Sequence, residues 1–152
     1  MDLDQIDRKL LSYLQQDCKQ TNKELSLKLN LSVTAVYERI KKLERGGMIS
    51  RYVALINREK VHLGLVVFCH IKLEKHAKNT IAHFEAEVAR LDEVLECFHT
   101  SGDYDYLLKV IVRDMDQFRN FMVNKLTTIQ YIGSTQSSFT INQVKSTTEL
   151  KL

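Results

Sequence analysis

Residues 21–45 of the chain read TNKELSLKLNLSVTAVYERIKKLER. This stretch predicts two short helices separated by a tight polar break. Thr21 and Glu24 have the spacing of a capping box, in which each side chain binds a free backbone N–H at the start of a helix. Leu25 and Leu29, four residues apart, give the first of these helices one buried stripe. The capping and the apolar spacing therefore agree on where this helix begins and which side it buries.

The second helix of the pair is predicted to begin after Ser32, a favourable N-cap residue. Leu31 before the cap and Val36 at the fourth helical position have the arrangement of a hydrophobic staple. The inner stripe at helical spacing consists of Val36, Ile40 and Leu43. Gly46 or Gly47 ends the helix, because glycine adopts the left-handed conformation at little cost.

The residues outside this inner stripe are small, polar or basic. They are Thr34, Ala35, Glu38, Arg39, Lys41, Lys42 and Arg45. A pair of short helices with a basic free face on the second is typical of a helix-turn-helix, which places that helix in the major groove of DNA.

A further helix and a strand flank the pair. Asp4 can cap a first helix, because an apolar stripe follows it at helical spacing. That stripe consists of Ile6, Leu10, Leu11 and Leu14. Residues 48–56 favour a strand, extending to residue 57. Three short helices followed by this strand predict a winged-helix head.

The positive charge is confined to the first part of the chain. Residues 1–60 carry 12 Lys and Arg against 8 Asp and Glu, a balance of +4, whereas residues 61–152 carry 10 and 11, a balance of −1. This distribution is expected if only the first part meets phosphates. Because the excess is modest, a dimer or larger assembly is needed to add up enough phosphate contacts.

The cysteines and the apolar runs indicate the compartment. Cys18, Cys69 and Cys97 are odd in number and widely spaced, which is typical of reduced thiols in a cytosol. The sequence has no basic N-terminus followed by an apolar run, and no apolar stretch approaches a membrane span. We therefore expect a cytoplasmic protein without a membrane partner.

After residue 60 the sequence predicts both strands and helices. Apolar runs predict strands at 65–73, 94–100, 104–112 and 134–144, and helical spacing predicts helices at 77–90 and 115–127. The order βαββαβ is that of a ferredoxin-like unit. Its helices cover one face of the sheet only, so a partner subunit is the natural cover for the other face.

The fold class is therefore α+β, with an N-terminal winged helix-turn-helix of three helices and a ferredoxin-like βαββαβ domain. We place a helix-turn-helix domain at 1–47, a strand and hinge at 48–60, the βαββαβ domain at 61–146 and a tail at 147–152. The chain has no proline, which favours a short hinge over a floppy linker. The last residues, 146–152, have no visible packing partner and are expected to form a mobile tail.

Five motifs, in this order, resemble the Lrp/AsnC family, the leucine-responsive or feast/famine transcriptional regulators. They are LDQIDRKLL at 3–11, ELS at 24–26, LS at 31–32 opening a helix with RIKKLE at 39–44, GMI at 47–49, and SGDYDYLL at 101–108. The resemblance covers essentially the whole chain. It implies an N-terminal DNA-binding domain, a C-terminal amino-acid-sensing domain, and dimers that pair through their C-terminal sheets and often form tetramers or octamers.

The helix after Ser32 carries the expected contacts to DNA. Thr34 and Ala35 could contact a thymine methyl, and Glu38 could accept from a cytosine amino group. Basic residues suit phosphates, which position the protein without reading sequence. These are Arg39, Lys41, Lys42 and Arg45. The helix starts add Thr21, Asn22 and Ser32 to the DNA-binding candidates.

Two alternatives stay open for the basic residues. Lys41 and Lys42 could simply form a solvated helix face. Arg39 could instead lie across an acidic residue of the first helix, such as Asp7, and stiffen the domain. In these readings the three cations would not contact DNA.

The hairpin segment Gly102, Asp103, Tyr104 and Asp105 matches the place where the resembling family holds its effector. Glycine lets the backbone approach a small ligand closely. The carboxylates could receive an α-ammonium group, and backbone N–H groups an α-carboxylate. By composition alone, Gly-Asp in a hairpin is more often only a turn.

A hydroxyl-rich strand at 134–138 matches the strand that faces this loop in the family. Thr135 and Ser137 share one side of it by the period of two. The family commonly has Thr where Ser137 stands, so the hydroxyl is kept and the methyl contact is lost. The alternative is an ordinary solvent-facing strand surface, and the effector's identity is not readable here.

The sequence gives little support for a catalytic site or a metal site. The histidines at 62, 70, 76, 83 and 99 form no ligand cluster. Cys97 and His99 point to one strand face, but two ligands without a third are better explained as interior packing. No glycine-rich phosphate loop is present, and no Ser or Cys nucleophile has an evident base. We therefore expect no cofactor, no metal and no enzymatic activity.

The preferred function is a sequence-specific DNA-binding transcriptional regulator that responds to a small effector, an amino acid, through changes in oligomeric assembly. One alternative is an architectural protein that wraps DNA without responding to a ligand. Another is an enzyme on the same scaffold, because the siroheme decarboxylases resemble this family in fold. The basic helix argues against the enzyme.

Overall fold

A computed structural model describes residues 2–152. The chain forms two compact units, one comprising the residues up to Leu55 together with Val144–Leu152, and the other Ile56–Gln143. The first unit contains three helices, α1 (Gln5–Gln16), α2 (Asn22–Leu29) and α3 (Val33–Arg45). The helical first unit and the sheet-containing second unit together confirm the predicted α+β fold class.

All three helices begin at side-chain caps. Asp4 accepts from the Asp7 N–H at 2.7 Å and starts α1. Thr21 and Glu24 form the predicted capping box at the start of α2, with bonds of 3.2 and 2.7 Å. Ser32 accepts from the Ala35 N–H at 3.1 Å and starts α3. The predicted caps are confirmed at all three positions, because capping depends only on residues within one turn.

The break between α2 and α3 depends on one left-handed residue that the sequence analysis did not single out. Asn30 has φ = 54°, and the following Leu31 N–H donates to the Ser26 carbonyl at 3.0 Å. Asparagine tolerates this conformation better than most residues other than glycine. After α3, Gly47 rather than Gly46 takes the left-handed conformation, with φ = 71°.

The predicted apolar stripes meet in one small core. It consists of Leu10, Leu11, Leu14, Leu25, Val36 and Leu43, with Leu29, Leu31 and Ile40 packed partly against it. Ile6 from the predicted stripe is half-buried. This core positions α3 with its opposite side facing outward.

The second unit is a four-stranded antiparallel sheet with strand order β2-β3-β1-β4. Its elements are β1 (Leu65–Leu73), α4 (Lys78–Val88), β2 (Val94–His99), β3 (Tyr106–Val112), α5 (Met115–Asn124), a 3₁₀ turn (Leu126–Thr128) and β4 (Ile132–Phe139). Phe84 of α4 and Phe121 of α5 pack on Val67 and Leu108 of the sheet in one core. The order and the one-sided helices confirm the predicted ferredoxin-like unit.

The opposite face of this sheet carries exposed apolar side chains. Leu95 and Phe98 of β2 are 60% and 47% exposed. Phe98 pairs with Leu107 across β2 and β3. The face therefore remains open in a single chain, as the sequence predicts, whereas its cover by a partner stays a prediction.

Several predictions about the strands differ from the structure. The strand expected at 48–57 is not formed, because this extended segment has no neighbouring strand within the chain. The second hairpin strand begins at Tyr106 rather than Tyr104, since the side chain of Asp105 binds the end of β1. The last strand ends at Phe139 rather than Val144, because β1, its pairing partner, begins at Leu65.

The C-terminal segment also differs from expectation. The prediction that residues 146–152 lack a packing partner is wrong, because Leu150 exchanges two hydrogen bonds with Gln15 of α1. Within residues 2–152, no helix has the length and apolar character that a membrane crossing requires.

We predict that Asn30→Ala destabilises the first unit by about 1 kcal/mol, because alanine is strained at a positive φ. Asn30→Gly is the matched variant and is expected to retain wild-type stability, since glycine adopts this conformation freely. Urea unfolding followed by circular dichroism measures both. Equal stability of the alanine and glycine variants would contradict the role assigned to this turn.

Candidate functional site

The outward side of α3 presents a strip suited to base edges. Thr34 and Glu38 are exposed, and Ala35 is half-buried. Val33 and Tyr37 were not predicted as DNA-facing residues. They are about half exposed and lie four residues apart on the same side of α3. The i, i+4 spacing of the two pairs, 33 with 37 and 34 with 38, was the available signal. An aromatic hydroxyl therefore joins the candidate DNA-facing groups.

Two of the three candidates at the helix starts, Thr21 and Ser32, act as caps in this structure. The Thr21 hydroxyl donates to the Glu24 carboxylate at 2.9 Å and accepts from the Glu24 backbone N–H at 3.2 Å. The Ser32 hydroxyl accepts from the Ala35 N–H, and Asn22 is half-buried in the first turn of α2. The side chains of Thr21 and Ser32 fix where α2 and α3 begin, and a contact with DNA stays a prediction for all three residues.

Arg39 lies across the acidic residues of α1. Its guanidinium donates to Asp4 at 2.7 Å and to Asp7 at 2.6 Å. The bonds to Asp4 and then to Asp7 raise the pKa of Arg39 despite its partial burial. Lys42 adds a second cation 3.8 Å from the fully buried Asp7 carboxylate. The geometry thus supports the structural alternative for Arg39.

The remaining basic residues of α3, Lys41 and Arg45, differ in whether an acidic side chain binds them. Lys41 bonds Glu44 at 2.7 Å, which raises the pKa of Lys41 and lowers that of Glu44. Glu44 also accepts from the Tyr52 hydroxyl at 3.1 Å. Arg45 is exposed, and its Nε donates to the Lys41 carbonyl at 3.2 Å. Arg45 therefore has the least committed guanidinium of the set.

The candidate effector loop is a tight turn at the end of the β2–β3 hairpin. Gly102 has φ = 130°, a conformation that side-chain-bearing residues rarely adopt. Asp103 beside it is exposed. The Thr100 N–H donates to the Asp105 carbonyl at 2.8 Å and closes the turn. Gly102 and Asp103 thus lie at the solvent-facing tip.

Asp105 is committed to holding strands together. Its Oδ2 accepts from the Leu73 N–H at 2.7 Å, and its Oδ1 lies 2.7 Å from Nε2 of His76. Its backbone N–H donates to the Ile71 carbonyl at 2.8 Å. Burial raises the pKa of Asp105, but the bonds from Leu73 and His76 outweigh it, so the net pKa lies below the ordinary value. A ligand ammonium would have to displace one of these partners.

Tyr104 turns to the open face of the sheet. Its hydroxyl donates to Oε1 of Gln136 at 2.6 Å, and its ring centroid lies 5.3 Å from that of His70. The loop is therefore attached to both β1 and β4.

Thr135 and Ser137 lie on the opposite face of β4 from Gln136. They pair with the buried Ile71 and Cys69 of β1, and the Ser137 oxygen is 3.7 Å from the Cys69 sulfur. Within one chain, the structure therefore brings Tyr104 to Gln136 rather than to the two predicted hydroxyls. His70, His76 and Gln136 were missed. Only Gln136 had a signal, as the alternate position of a strand already implicated.

Metal chemistry has little support in the described part of the chain. No group of three or more His, Cys, Asp or Glu side chains in residues 2–152 could hold a metal ion. His99 instead stacks on Tyr106, with ring centroids 4.6 Å apart and an interplanar angle of 18°. Burial raises the pKa of the Cys97 thiol. Both Cys97 and His99 are nevertheless exposed, so the interior packing expected for this pair is wrong.

Comparison with known proteins decides the family. A sequence model of the Lrp/AsnC ligand-binding domain matches residues 66–150, and a model of a winged helix-turn-helix DNA-binding domain matches residues 3–50. The chain belongs to the Lrp/AsnC family. It is a DNA-binding transcriptional regulator with a ligand-binding domain.

Proteins of similar sequence match nearly the whole of this chain and at least nine-tenths of their own length. The leucine-responsive regulatory protein of Salmonella typhimurium is 39% identical over 149 residues, which span 98% of this chain and 91% of that protein. The DNA-binding transcriptional activator DecR of Escherichia coli K12 is 38% identical over 150 residues, 99% of each chain. Both are named as regulators of transcription.

Solved Lrp/AsnC structures share the fold. A transcriptional regulator from Neisseria meningitidis, crystallised as a complex with L-Met, has a TM-score of 0.93 at 38% identity and covers 98% of this chain and 96% of its own. Escherichia coli AsnC has a TM-score of 0.91 at 26% identity, covering 98% and 99%.

We predict that Arg39→Met costs about 3 kcal/mol of stability, because it leaves the buried Asp7 carboxylate with the more distant Lys42 as its one positively charged partner among the described residues. Arg45→Met is the matched control, since it removes an exposed guanidinium of the same helix. The control should keep wild-type stability in urea unfolding but bind DNA more weakly, with a salt slope reduced by about 0.9. Wild-type stability of Arg39→Met would contradict this assignment.

We predict that Asp105→Asn lowers the melting temperature, because a neutral amide binds the Leu73 N–H and His76 less strongly than a carboxylate. Since the folded-state pKa of Asp105 lies below 3.8, its stabilisation is complete at neutral pH and is lost as the pH falls below that value. The difference between wild type and variant should therefore shrink in acid.

Asp103→Asn is the control for this prediction, because Asp103 is exposed at the tip of the same loop. Thermal melts between pH 7 and pH 3 measure both variants. An equal loss for Asp103→Asn and Asp105→Asn would contradict the strand-holding role of Asp105.

Proposed function

We propose that this regulator binds a specific operator through α3 and that an amino acid, bound near Gly102–Asp105, changes its oligomeric assembly and thereby its hold on DNA. The supporting observation is that one chain combines an exposed reading face on α3 with a tight turn carrying a free carboxylate, Asp103. The DNA-binding face of α3 and the effector loop would then be two distinct sites whose binding free energies are coupled through assembly, which is allosteric regulation.

Weak charge in one copy supports binding as an assembly. The chain has a formal net charge of only +3, and Arg39, Lys41 and Lys42 each have an acidic partner within α1 or α3. Of the basic residues on α3, only Arg45 has no acidic partner among the described residues, so several copies would be needed for tight binding. Two reading helices would then meet successive major grooves at a fixed spacing.

Two uncovered apolar features support self-association. The open face of the sheet exposes Phe98, and the backbone of residues 51–57 is not paired with any strand in the described part of the chain. Unpaired extended backbone and exposed apolar faces are the surfaces that a second copy can cover. We propose a dimer that assembles further into tetramers or octamers.

The effector proposal combines the loop with a relative. The Neisseria meningitidis structure is described as a complex with L-Met, so an amino acid is a fitting ligand class. At the tip of the loop, Asp103 would receive the α-ammonium group, because both oxygens of Asp105 already have partners. Thr135 and Ser137 remain candidates for further contacts.

The alternatives make different predictions. An architectural DNA-wrapping protein would bind DNA with no change in affinity or size across a full amino-acid panel. An enzyme like the siroheme decarboxylases would bind a tetrapyrrole. The relatives named as regulators favour neither alternative, and we propose a cytoplasmic regulator without enzymatic activity.

The proposal is tested by mobility shift on DNA from upstream of the protein's own gene, over a series of salt concentrations and with each of the twenty amino acids. We expect a complex that weakens steeply with salt and whose affinity changes with at least one amino acid. Calorimetry and light scattering on the same samples measure effector binding and assembly mass. Absence of any salt-sensitive complex would overturn the regulator proposal.

The double variant Thr34→Ala/Glu38→Ala separates reading from general binding. Each lost base contact is expected to cost about 1–3 kcal/mol on the specific site, whereas binding to unrelated DNA and to the effector should persist. An equal loss on specific and unrelated DNA would contradict base reading by α3.

A further inference from the structure

The side chain of Gln15 on α1 imitates a strand neighbour for the C-terminal segment. Its Oε1 accepts from the Leu150 N–H at 2.7 Å, and its Nε2 donates to the Leu150 carbonyl at 3.0 Å. This is the pair of bonds that one strand residue exchanges with another. Next to it, Nε2 of Gln16 donates to Glu149 at 3.4 Å. The segment is therefore held in register at one defined position.

An apolar groove of about 690 Å³ lies beside these bonds. Its apolar lining comes from α1, from a residue two positions before this helix and from the segment after α3. The residues are Leu3, Leu11, Leu14, Tyr52, Val53 and Leu55. Leu150 and Leu152 of the C-terminal segment also line it, and they remain 69% and 47% exposed. They cover the groove only in part.

We propose that this groove is a docking surface for the segment Val144–Leu152 of the same chain, and that docking gives the DNA-binding unit a second connection, through this segment, to β4. The first connection is the segment after α3. The second exists because only residues 140–143 separate the end of β4 from Val144.

The consequence concerns the effector response and rests on the proposed function. The candidate effector contacts Thr135 and Ser137 lie on β4. A change in the position of this strand would pull on a segment held by α1, and α1 holds α3 through Asp7 and Arg39. The docked segment thus carries part of the response from the effector strand to the reading helix, in addition to any change in assembly.

Amide hydrogen exchange of Leu150 in the full chain tests the docking itself. Gln15→Ala removes both bonds, and two neutral hydrogen bonds correspond to roughly tenfold in the docking equilibrium. We expect exchange of the Leu150 N–H to quicken by about that factor, while Gln5→Ala, an exposed glutamine in the first turn of the same helix, leaves it unchanged. Equal exchange in wild type and Gln15→Ala would overturn the docking surface.

The coupling is tested by the effector-dependent change in DNA affinity. Gln15→Ala and a chain ending at Lys145 should both show a smaller change than wild type and Gln5→Ala, with effector affinity retained in calorimetry. An unchanged response in both variants would overturn the coupling. If wild type itself responds to no amino acid, the proposed function fails instead, and the exchange of Leu150 still decides the docking.

A mixture refolded from Gln15→Ala chains and chains ending at Lys145 tests whether the segment docks within one chain. In this mixture an intact tail and an intact Gln15 never share a chain. Fast exchange of Leu150 supports docking within the chain. Slow exchange would show that the segment crosses to a second copy, and would overturn that assignment.

Discussion

The buried carboxylate of Asp7 is the constraint on which the DNA-binding unit depends. Its side chain is fully buried, and an isolated charge in that position would be strongly destabilising. Arg39 and Lys42 of α3 supply the opposite charge, so α3 must lie against α1 in one register. Two cations of a basic helix are thereby used to hold the helix rather than to attract DNA.

A second carboxylate has the same function in the sensing unit. Asp105 binds the end of β1 through the Leu73 N–H and contacts His76, so the loop beside Gly102 is fixed to the sheet. The groups at the tip, Asp103 above all, stay exposed to solvent, and we propose them as the ligand contacts. In both units a carboxylate close to the functional residues holds the backbone, and the neighbouring exposed side chains are available for recognition.

Much of the fold followed from local chemistry. The caps at Asp4, Thr21 and Ser32 and the order of elements in the βαββαβ unit matched expectation, because capping acts within one turn and the helical and strand periods act within one element. The strand expected after Met48 did not form, since apolar alternation describes a backbone that can pair and a single chain offers it no neighbour.

The sequence by itself determined the family, the two kinds of domain and the outward strip of α3, since these depend on spacing along the chain. Only the tertiary structure showed that Arg39 bonds Asp7, across 32 positions. It also placed Tyr104 on Gln136 and Leu150 on Gln15, at separations of 32 and 135 positions. Such pairs arise when packing brings distant elements together, and no local propensity specifies which distant groups will meet.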